Sequence, residues 1–393
     1  MTPAARIQAA IELLDEIIVA AREGGAAADT LIVRYFKARR YAGAKDRRAV
    51  RELVFRAVRR AGERPENGRA AMVGLARDDP ALLAAFDGSA HGPAPVEQDE
   101  PAADAALAPT WLIARMDPLV GPDDLPALLE RAPLDLRVNV LKGTREQAVK
   151  TVEGAVATPH SPLGLRLPEG TRVEESDAWR SGRIEVQDEG SQLICLACGA
   201  EPGMLAVDLC AGAGGKTLAL AAEMGDRGRI VACDTDRARL ARIAPRLQRA
   251  GVSVVETRLL DPGRELAALQ DVAGAADLVL VDAPCSGTGT WRRNPETRWR
   301  ATPERLARLT ALQARLLDIG AELVKPGGHV VYAVCSLLTE EGRDQAEALS
   351  HRSSLVPEPL AIPIGSAAGS GRLLRPSQDG TDGFFVARWR LPC

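Results

Sequence analysis

The sequence predicts an α/β protein whose C-terminal half is a doubly wound, mostly parallel sheet, preceded by a small α+β module and an all-helical N-terminal domain. Three observations carry this reading. Short apolar runs alternate with helical stretches after Gly182, a glycine-rich loop follows the first of those runs, and apolar residues recur at three- and four-residue steps across residues 4–85. At 393 residues the chain is also too long for one ordinary domain.

In chain order, residues 1–86 form the helical domain: Ile7, Ile11, Leu14, Ile17 and Ile18 share one helical face, and Val50, Leu53, Val54 and Val58 share another. Residues 87–108, rich in Pro, Ala, Gly and acids, are expected to be a linker or loose connection. Residues 109–180 are mixed, with a strand at Leu136–Leu141 and a helix within Thr144–Glu153, and are expected to form the α+β module. Residues 181–393 hold the large sheet. Its strands are expected at Leu205–Leu209, Ile230–Asp234, Val252–Thr257, Leu278–Asp282 and His329–Val334. A helix at Pro303–Val324 is ended by Lys325-Pro326-Gly327-Gly328, and a closing strand, Phe384–Trp389, follows the Asp382-Gly383 turn.

Composition excludes several classes. No apolar run reaches the length of a membrane span, and Met1–Arg22 lacks the basic start and apolar block of a secretory signal. The seven cysteines are odd in number and widely spread, which argues against a disulfide framework and for a reducing, cytoplasmic setting. Cys195 and Cys198 form a lone CxxC in an apolar run without a second pair or a nearby histidine, so packing rather than zinc is expected and no metal is assigned. The net charge of −3 does not mark a nucleic-acid binder, but its distribution does: Arg34–Arg60 holds eleven Lys or Arg against two acids. A second basic cluster, Arg292, Arg293, Arg298 and Arg300, is interleaved with Trp291 and Trp299, which either stack bases or pack the loop. No zipper or interface-like repeat is visible, and a monomer is expected.

The glycine loop runs Asp208-Leu-Cys210-Ala211-Gly212-Ala213-Gly214-Gly215-Lys216-Thr217. A phosphate-binding P-loop requires glycine where Cys210 stands, and a dinucleotide fingerprint requires its last glycine where Thr217 stands. What remains is a nucleoside cofactor without a pyrophosphate, such as S-adenosylmethionine. Asp234, 20 residues after Gly214 at the end of the second strand, is placed for ribose hydroxyls, and Asp261, just past the third strand, for the adenine edge or its surroundings.

Two more loops carry chemistry. Asp282-Ala283-Pro284-Cys285-Ser286-Gly287-Thr288-Gly289 ends the fourth strand, and Tyr332-Ala333-Val334-Cys335-Ser336 ends the fifth, both at the edge where doubly wound folds bind ligands. A single such cysteine is usually a small buried hydrophobe; two at adjacent strand ends, one flanked by Asp and Pro, point to catalysis. Carbon 5 of cytosine is a poor nucleophile until a thiolate adds to carbon 6 and makes the ring an enamine. Methylation there needs a nucleophilic cysteine, an acid near ring nitrogen 3 and a group that assists resolution, roles that Cys335, Cys285 and Asp282 can fill between them. Lys216 either favours the thiolate or fixes Asp282. Spacing does not say which cysteine attacks.

These three loops, with Val186-Gln187-Asp188-Glu189-Gly190-Ser191-Gln192 upstream and Thr381-Asp382-Gly383-Phe384-Phe385 near the end, resemble the Nol/Nop/Sun family of RNA cytosine carbon-5 methyltransferases, in family order over roughly residues 109–393. The likeness is to its bacterial Fmu/RsmB group, which methylates 16S ribosomal RNA. The resemblance implies a Rossmann-like class I methyltransferase domain using S-adenosylmethionine, with Cys335 as nucleophile, Cys285 assisting release, and cofactor positions at Cys210–Lys216, Asp234, Asp261 and Asp282. More weakly, Ala44-Lys45-Asp46-Arg47-Arg48 is similar to a NusB-like RNA-binding domain, and Arg137–Lys142 resembles the family's small RNA-recognition module. The implied partner is therefore RNA, ribosomal before transfer, with no membrane and no DNA. Two departures stand out: Gly212-Ala213 replaces the family's Ala-Pro, which predicts a looser loop, and Val334 replaces a threonine hydroxyl before the nucleophile. The competing readings are an inactive RNA-binding ribosome-assembly factor, a transfer RNA methyltransferase and a DNA cytosine methyltransferase. The second cysteine and the basic helices favour RNA over DNA.

Overall fold

A computed structural model describes residues 1–393, which divide into two compact units. The first comprises residues 1–116, 125–130 and 290–303; the second comprises 117–124, 131–289 and 304–393. Two of the expected boundaries are thereby redrawn. The α+β module shares a unit with the large sheet, and a segment inserted in the methyltransferase-like region belongs with the N-terminal helices. No helix is long and apolar enough to cross a membrane.

In the first unit, α1 (Pro3–Glu23) starts on a Thr2 cap and ends at Gly24 in the left-handed region. It is followed by α2 (Ala28–Ala38), α3 (Ala44–Arg60) and α4 (Gly68–Arg77). The periodic residues Ile7, Ile11, Leu14, Ile17, Val50, Leu53, Val54 and Val58 form one buried core, while Arg48 and Arg51 of α3 stay exposed. Gly68 is required where α4 meets α1, since a Cβ there would lie 2.2 Å from the Ile11 carbonyl.

Residues 87–106, expected to be loose, are strapped to the helices. Ala103 N–H donates to the Ala70 carbonyl, Ala106 N–H to that of Arg60, and Arg69 forms a paired contact with Glu100. A proline-rich run has few internal donors and satisfies its polar groups on its neighbours.

The inserted segment 290–303 packs into the same unit. Trp291 and Trp299 are 1% and 2% exposed, which removes base stacking as their role. The Trp299 indole donates to the Ala61 carbonyl at 2.9 Å. The Arg298 guanidinium, also buried, donates to the carbonyls of Val58 (2.6 Å), Arg59 (3.3 Å), Pro295 (3.1 Å) and Leu107. It thus caps the C-terminal end of α3, where unpaired carbonyls concentrate negative charge. Arg300 binds the carbonyls of Gly25 and Ala26, and Glu296 accepts the Ala28 N–H at the start of α2.

The second unit contains two sheets. β1 (Leu134–Val138), β2 (Val156–Ala157), β3 (Gly164–Leu167) and β4 (Ile184–Val186) form an antiparallel sheet of order β2-β3-β1-β4. The helix Arg145–Thr151, opened by a Thr144–Gln147 capping box, covers it. The large sheet contains β5 (Leu205–Asp208), β6 (Arg229–Asp234), β7 (Val255–Leu259), β8 (Ala276–Asp282) and β9 (Val324–Val334), all parallel. The C-terminal strands β10 (Val356–Glu358), β11 (Ser366–Ala368), β12 (Gly371–Leu374) and β13 (Phe384–Arg390) complete it. The order is β11-β12-β13-β9-β8-β5-β6-β7, with β13 antiparallel to β9 and β10 pairing β13. Lys325–Gly328, expected to end the preceding helix, follows its last residue Leu323 and lies within β9: Gly327 takes φ +80 and its N–H reaches the Leu391 carbonyl. Strand order reverses between β5 and β8, so the carboxyl ends of β5, β6, β8 and β9 open onto one crevice.

Candidate active site

The glycine loop leaves β5 at Asp208 and enters the helix Gly215–Glu223. Asp208 is fully buried and accepts the Thr217 hydroxyl at 2.6 Å; burial pushes its carboxyl pKa up to about 7. Gly212, at φ +57, donates its N–H to Asp234 at 2.9 Å, and Gly214, at φ +82, opens the helix. Side chains with Cβ would be strained at both positions. A Cβ at Gly212 or Gly215 would meet open space within 4 Å, so one side of the loop is free for a ligand. The second Asp234 oxygen accepts the Asp236 N–H at 2.7 Å. Asp261 is exposed just past β7, next to Leu260, whose N–H binds the Asp234 carbonyl. Cys210 is part-buried, and burial with the nearby Asp208 and Asp282 raises its thiol pKa well above the ordinary value.

The Gly212-Ala213 departure is compensated by a contact the sequence did not reveal. The Arg246 guanidinium donates to the Ala213 carbonyl at 2.6 Å and is held in turn by Glu185 of β4 at 2.9 Å. The small sheet thus braces the loop. Arg249 also binds Glu185, and Asn139 reaches the Gly182 and Ala250 carbonyls at 2.9 Å each. Arg137 is spent internally, buried and donating to Gln187 at 2.6 Å.

At the end of β8, Asp282 receives the Lys216 ammonium at 2.6 Å. Burial opposes the cation, but the pull of Asp282, Cys195 and Cys335 outweighs it and holds the Lys216 pKa above the ordinary value. The thiols of Cys285 and Cys335, fifty positions apart in sequence, lie 3.4 Å from each other and are both part-buried. Their loops are tied by Gly289 N–H to the Cys335 carbonyl at 3.0 Å and Ala283 N–H to the Ala333 carbonyl at 3.0 Å. Contact with the Cys335 thiol, reinforced by burial, raises the Cys285 pKa well above the usual thiol value. Two thiols at this spacing can address one small planar ring. Cys195 and Cys198 are buried and bond to the carbonyls of Ser191 and Ile194 within their own helix.

One further group carries no motif in the sequence. Glu341, fully buried six residues after Cys335, accepts from Ser286 N–H (2.8 Å), Ser286 Oγ (2.5 Å), Ser336 Oγ (2.6 Å) and Gln313 Nε2 (3.0 Å). Thr288 Oγ1 lies 3.1 Å from Ser336 Oγ and accepts the Leu337 N–H. These hydroxyls order the loop that Val334 cannot. The only signal in the sequence was the Glu340-Glu341 pair, which carries no periodicity of its own. The two flanking motifs are structural partners: Asp188 caps the helix Glu189–Cys198 and accepts the Asp382 N–H.

The loop therefore offers open glycine faces, and a carboxylate stands at the end of β6. The sheet, closed by an antiparallel strand beside β9, has the fold of class I methyltransferases, the class whose cofactor is S-adenosylmethionine. A solved methyltransferase homologue from Pyrococcus horikoshii is 28% identical, with TM-score 0.63, covering 72% of this chain and 96% of its own. The solved structure of PH0851 shares the fold over 99% of both chains, with TM-score 0.79 at 23% identity. Residues 196–390 match the family described as 16S rRNA methyltransferase RsmB/F. A curated relative from Synechocystis, described as a probable ribosomal RNA small subunit methyltransferase B, is 34% identical over 71% of this chain. The chain spans 66% of that relative's length. It belongs to the RsmB/F methyltransferases of the Nol/Nop/Sun-like family.

Proposed function

We propose that this chain methylates carbon 5 of a cytosine in RNA, with 16S ribosomal RNA as the substrate, through a covalent adduct between Cys335 and carbon 6. The observation that carries the proposal is the 3.4 Å separation of the Cys285 and Cys335 thiols beside the Lys216–Asp282 pair.

Addition of the Cys335 thiolate to carbon 6 makes carbon 5 nucleophilic, and a proton passed from the Lys216 ammonium through Asp282 meets the electron density that builds at ring nitrogen 3. Lys216 holds the Asp282 carboxyl in place. S-adenosylmethionine, when bound on Cys210–Lys216, Asp234 and Asp261, supplies an electrophilic methyl group. Cys285 then hands its thiol proton to the Cys335 sulfur departing from carbon 6 and takes the carbon 5 proton in its place, which restores the aromatic ring. The target base must be unpaired or extruded from its helix to enter the crevice. The N-terminal helices, a NusB-like unit in this reading, hold phosphates with their exposed arginines and add affinity rather than sequence choice.

The test is adduct trapping on unmodified 16S RNA. Cys335→Ala abolishes methyl transfer and forms no adduct, whereas Cys285→Ala accumulates a protein–RNA adduct stable to denaturation. Accumulation in the Cys335 variant instead reverses the assignment. No transfer by the wild-type chain to either ribosomal or transfer RNA removes the catalytic reading.

A further inference from the structure

We infer that Glu341 is the positioning residue that sets the separation of the two thiols. The inference rests on the reading of Cys285 and Cys335 as the reacting pair and adds the residue that holds them together. The loops bearing the cysteines come from different strands, and two backbone hydrogen bonds join them directly. Glu341 joins them a second time through its side chain. One carboxylate oxygen accepts the Ser286 N–H and the Gln313 amide; the other accepts the Ser286 and Ser336 hydroxyls. Ser286 and Ser336 are the immediate neighbours of Cys285 and Cys335.

A buried anion is costly. Glu341 is 0% exposed, and none of the four donors is a cation. A carboxylate removed from water is tolerated only when hydrogen bonds replace its hydration. Satisfying this one obliges both serines, and so both cysteine backbones, to converge on it. Gln313 donates from the same amide nitrogen to the Pro284 carbonyl at 2.9 Å, and the Tyr332 hydroxyl donates to the Glu341 carbonyl at 2.6 Å. The anchor is therefore itself fixed from the helix Pro303–Leu323 and from β9. The Glu341 charge also opposes ionisation of Cys285, which suits a thiol that acts after its neighbour has attacked.

The experiment reads the thiol separation without RNA. Diamide accepts two electrons and two protons from a thiol pair, becoming the hydrazine as two S–H bonds break and one S–S bond forms. Wild-type chain treated with diamide yields the Cys285–Cys335 disulfide, seen as a cross-linked peptide two hydrogens lighter. Glu341→Gln keeps the size of the side chain but replaces one acceptor oxygen with a donor, and it forms the disulfide at least tenfold more slowly. Alkylation of each thiol by iodoacetamide normalises for changes in ionisation. In steady state the same variant loses kcat at least tenfold, while KM for RNA and Kd for S-adenosylhomocysteine stay within threefold. Wild-type disulfide formation and wild-type kcat in Glu341→Gln would overturn the inference. Should that variant misfold, Ser286→Ala and Ser336→Ala each remove one hydroxyl donor; both slow the disulfide, and wild-type rates in both would equally overturn it. A wild-type chain that cross-links but transfers no methyl group sinks the catalytic reading and leaves the role of Glu341 in thiol spacing decided on its own.

Discussion

The Lys216 ammonium, in the first turn after the glycine loop, lies 2.6 Å from the Asp282 carboxylate that ends β8. This pair joins the glycine loop to the cysteine loop, because Cys285 follows Asp282 by three residues. Replacing Lys216 with Met leaves a part-buried carboxylate without its cation. Methyl transfer is expected to fall by roughly 100-fold, the scale of losing one preorganised electrostatic contact. A tritiated-methyl assay measures this, with thermal melting as the control that the variant is folded.

Arg298 gives a prediction about stability rather than catalysis. Its buried guanidinium donates to four backbone carbonyls of the helical unit, and burial lowers its pKa to about 10. Arg298→Met keeps much of the apolar contact but removes the donor from those carbonyls, at about 1–3 kcal/mol for each of the one or two that find no other partner. Urea denaturation should show a loss of about 3 kcal/mol, on the scale of removing a buried charged hydrogen-bonding group. A loss below about 1 kcal/mol would mean water reaches the site.

Asp208 makes stability depend on pH. Its carboxyl pKa is raised from 3.8 to about 7 by burial, so the folded chain keeps a proton that the unfolded chain releases. Between about pH 4 and 7 the unfolded state binds fewer protons, and stability falls as pH rises through that window; below it the contribution is fully present. Asp208→Asn retains an acceptor for Thr217 and removes this titration. Urea midpoints measured from pH 4.5 to 7.5 should fall more steeply for wild type than for the variant, and parallel curves would refute the assignment.

The helical unit is tested through salt. Arg48 is exposed on α3, and Arg47 is exposed apart from a bond from its Nε to the Ala42 carbonyl. Each phosphate contact contributes roughly 0.7–0.9 to the slope of log K against log salt. Reversing both residues to Glu should therefore flatten the slope for a 16S RNA fragment by about 1–2. An unchanged slope would remove this face from the RNA contact.

Much of the sheet was legible because it depends on local patterning. An apolar run bounded by polar residues needs only its neighbours to become a buried strand, and β5, β6, β8 and β13 fall within two residues of where the apolar runs place them. The third parallel strand starts at Val255, three residues later than expected, although the Val254 carbonyl already accepts the Ile230 N–H of β6. The glycine loop and Asp234 were legible for a related reason: glycine marks positions that need left-handed backbone or open space, and both occur at Gly212.

By itself, then, the sequence determined the alternation of elements, the glycine loop after the first parallel strand, and the presence of two cysteines at strand ends. Tertiary structure alone decided that the thiols lie 3.4 Å apart and that Glu341 holds both of their loops. It also decided that Trp299 and Arg298 serve the helical core rather than RNA, through bonds to residues 238 and 240 positions away. The reason is physical. Periodicity and turn chemistry report how a segment meets solvent or core, whereas a buried polar group takes whichever partner the fold brings within hydrogen-bond reach, and that partner leaves no mark in the residues around it.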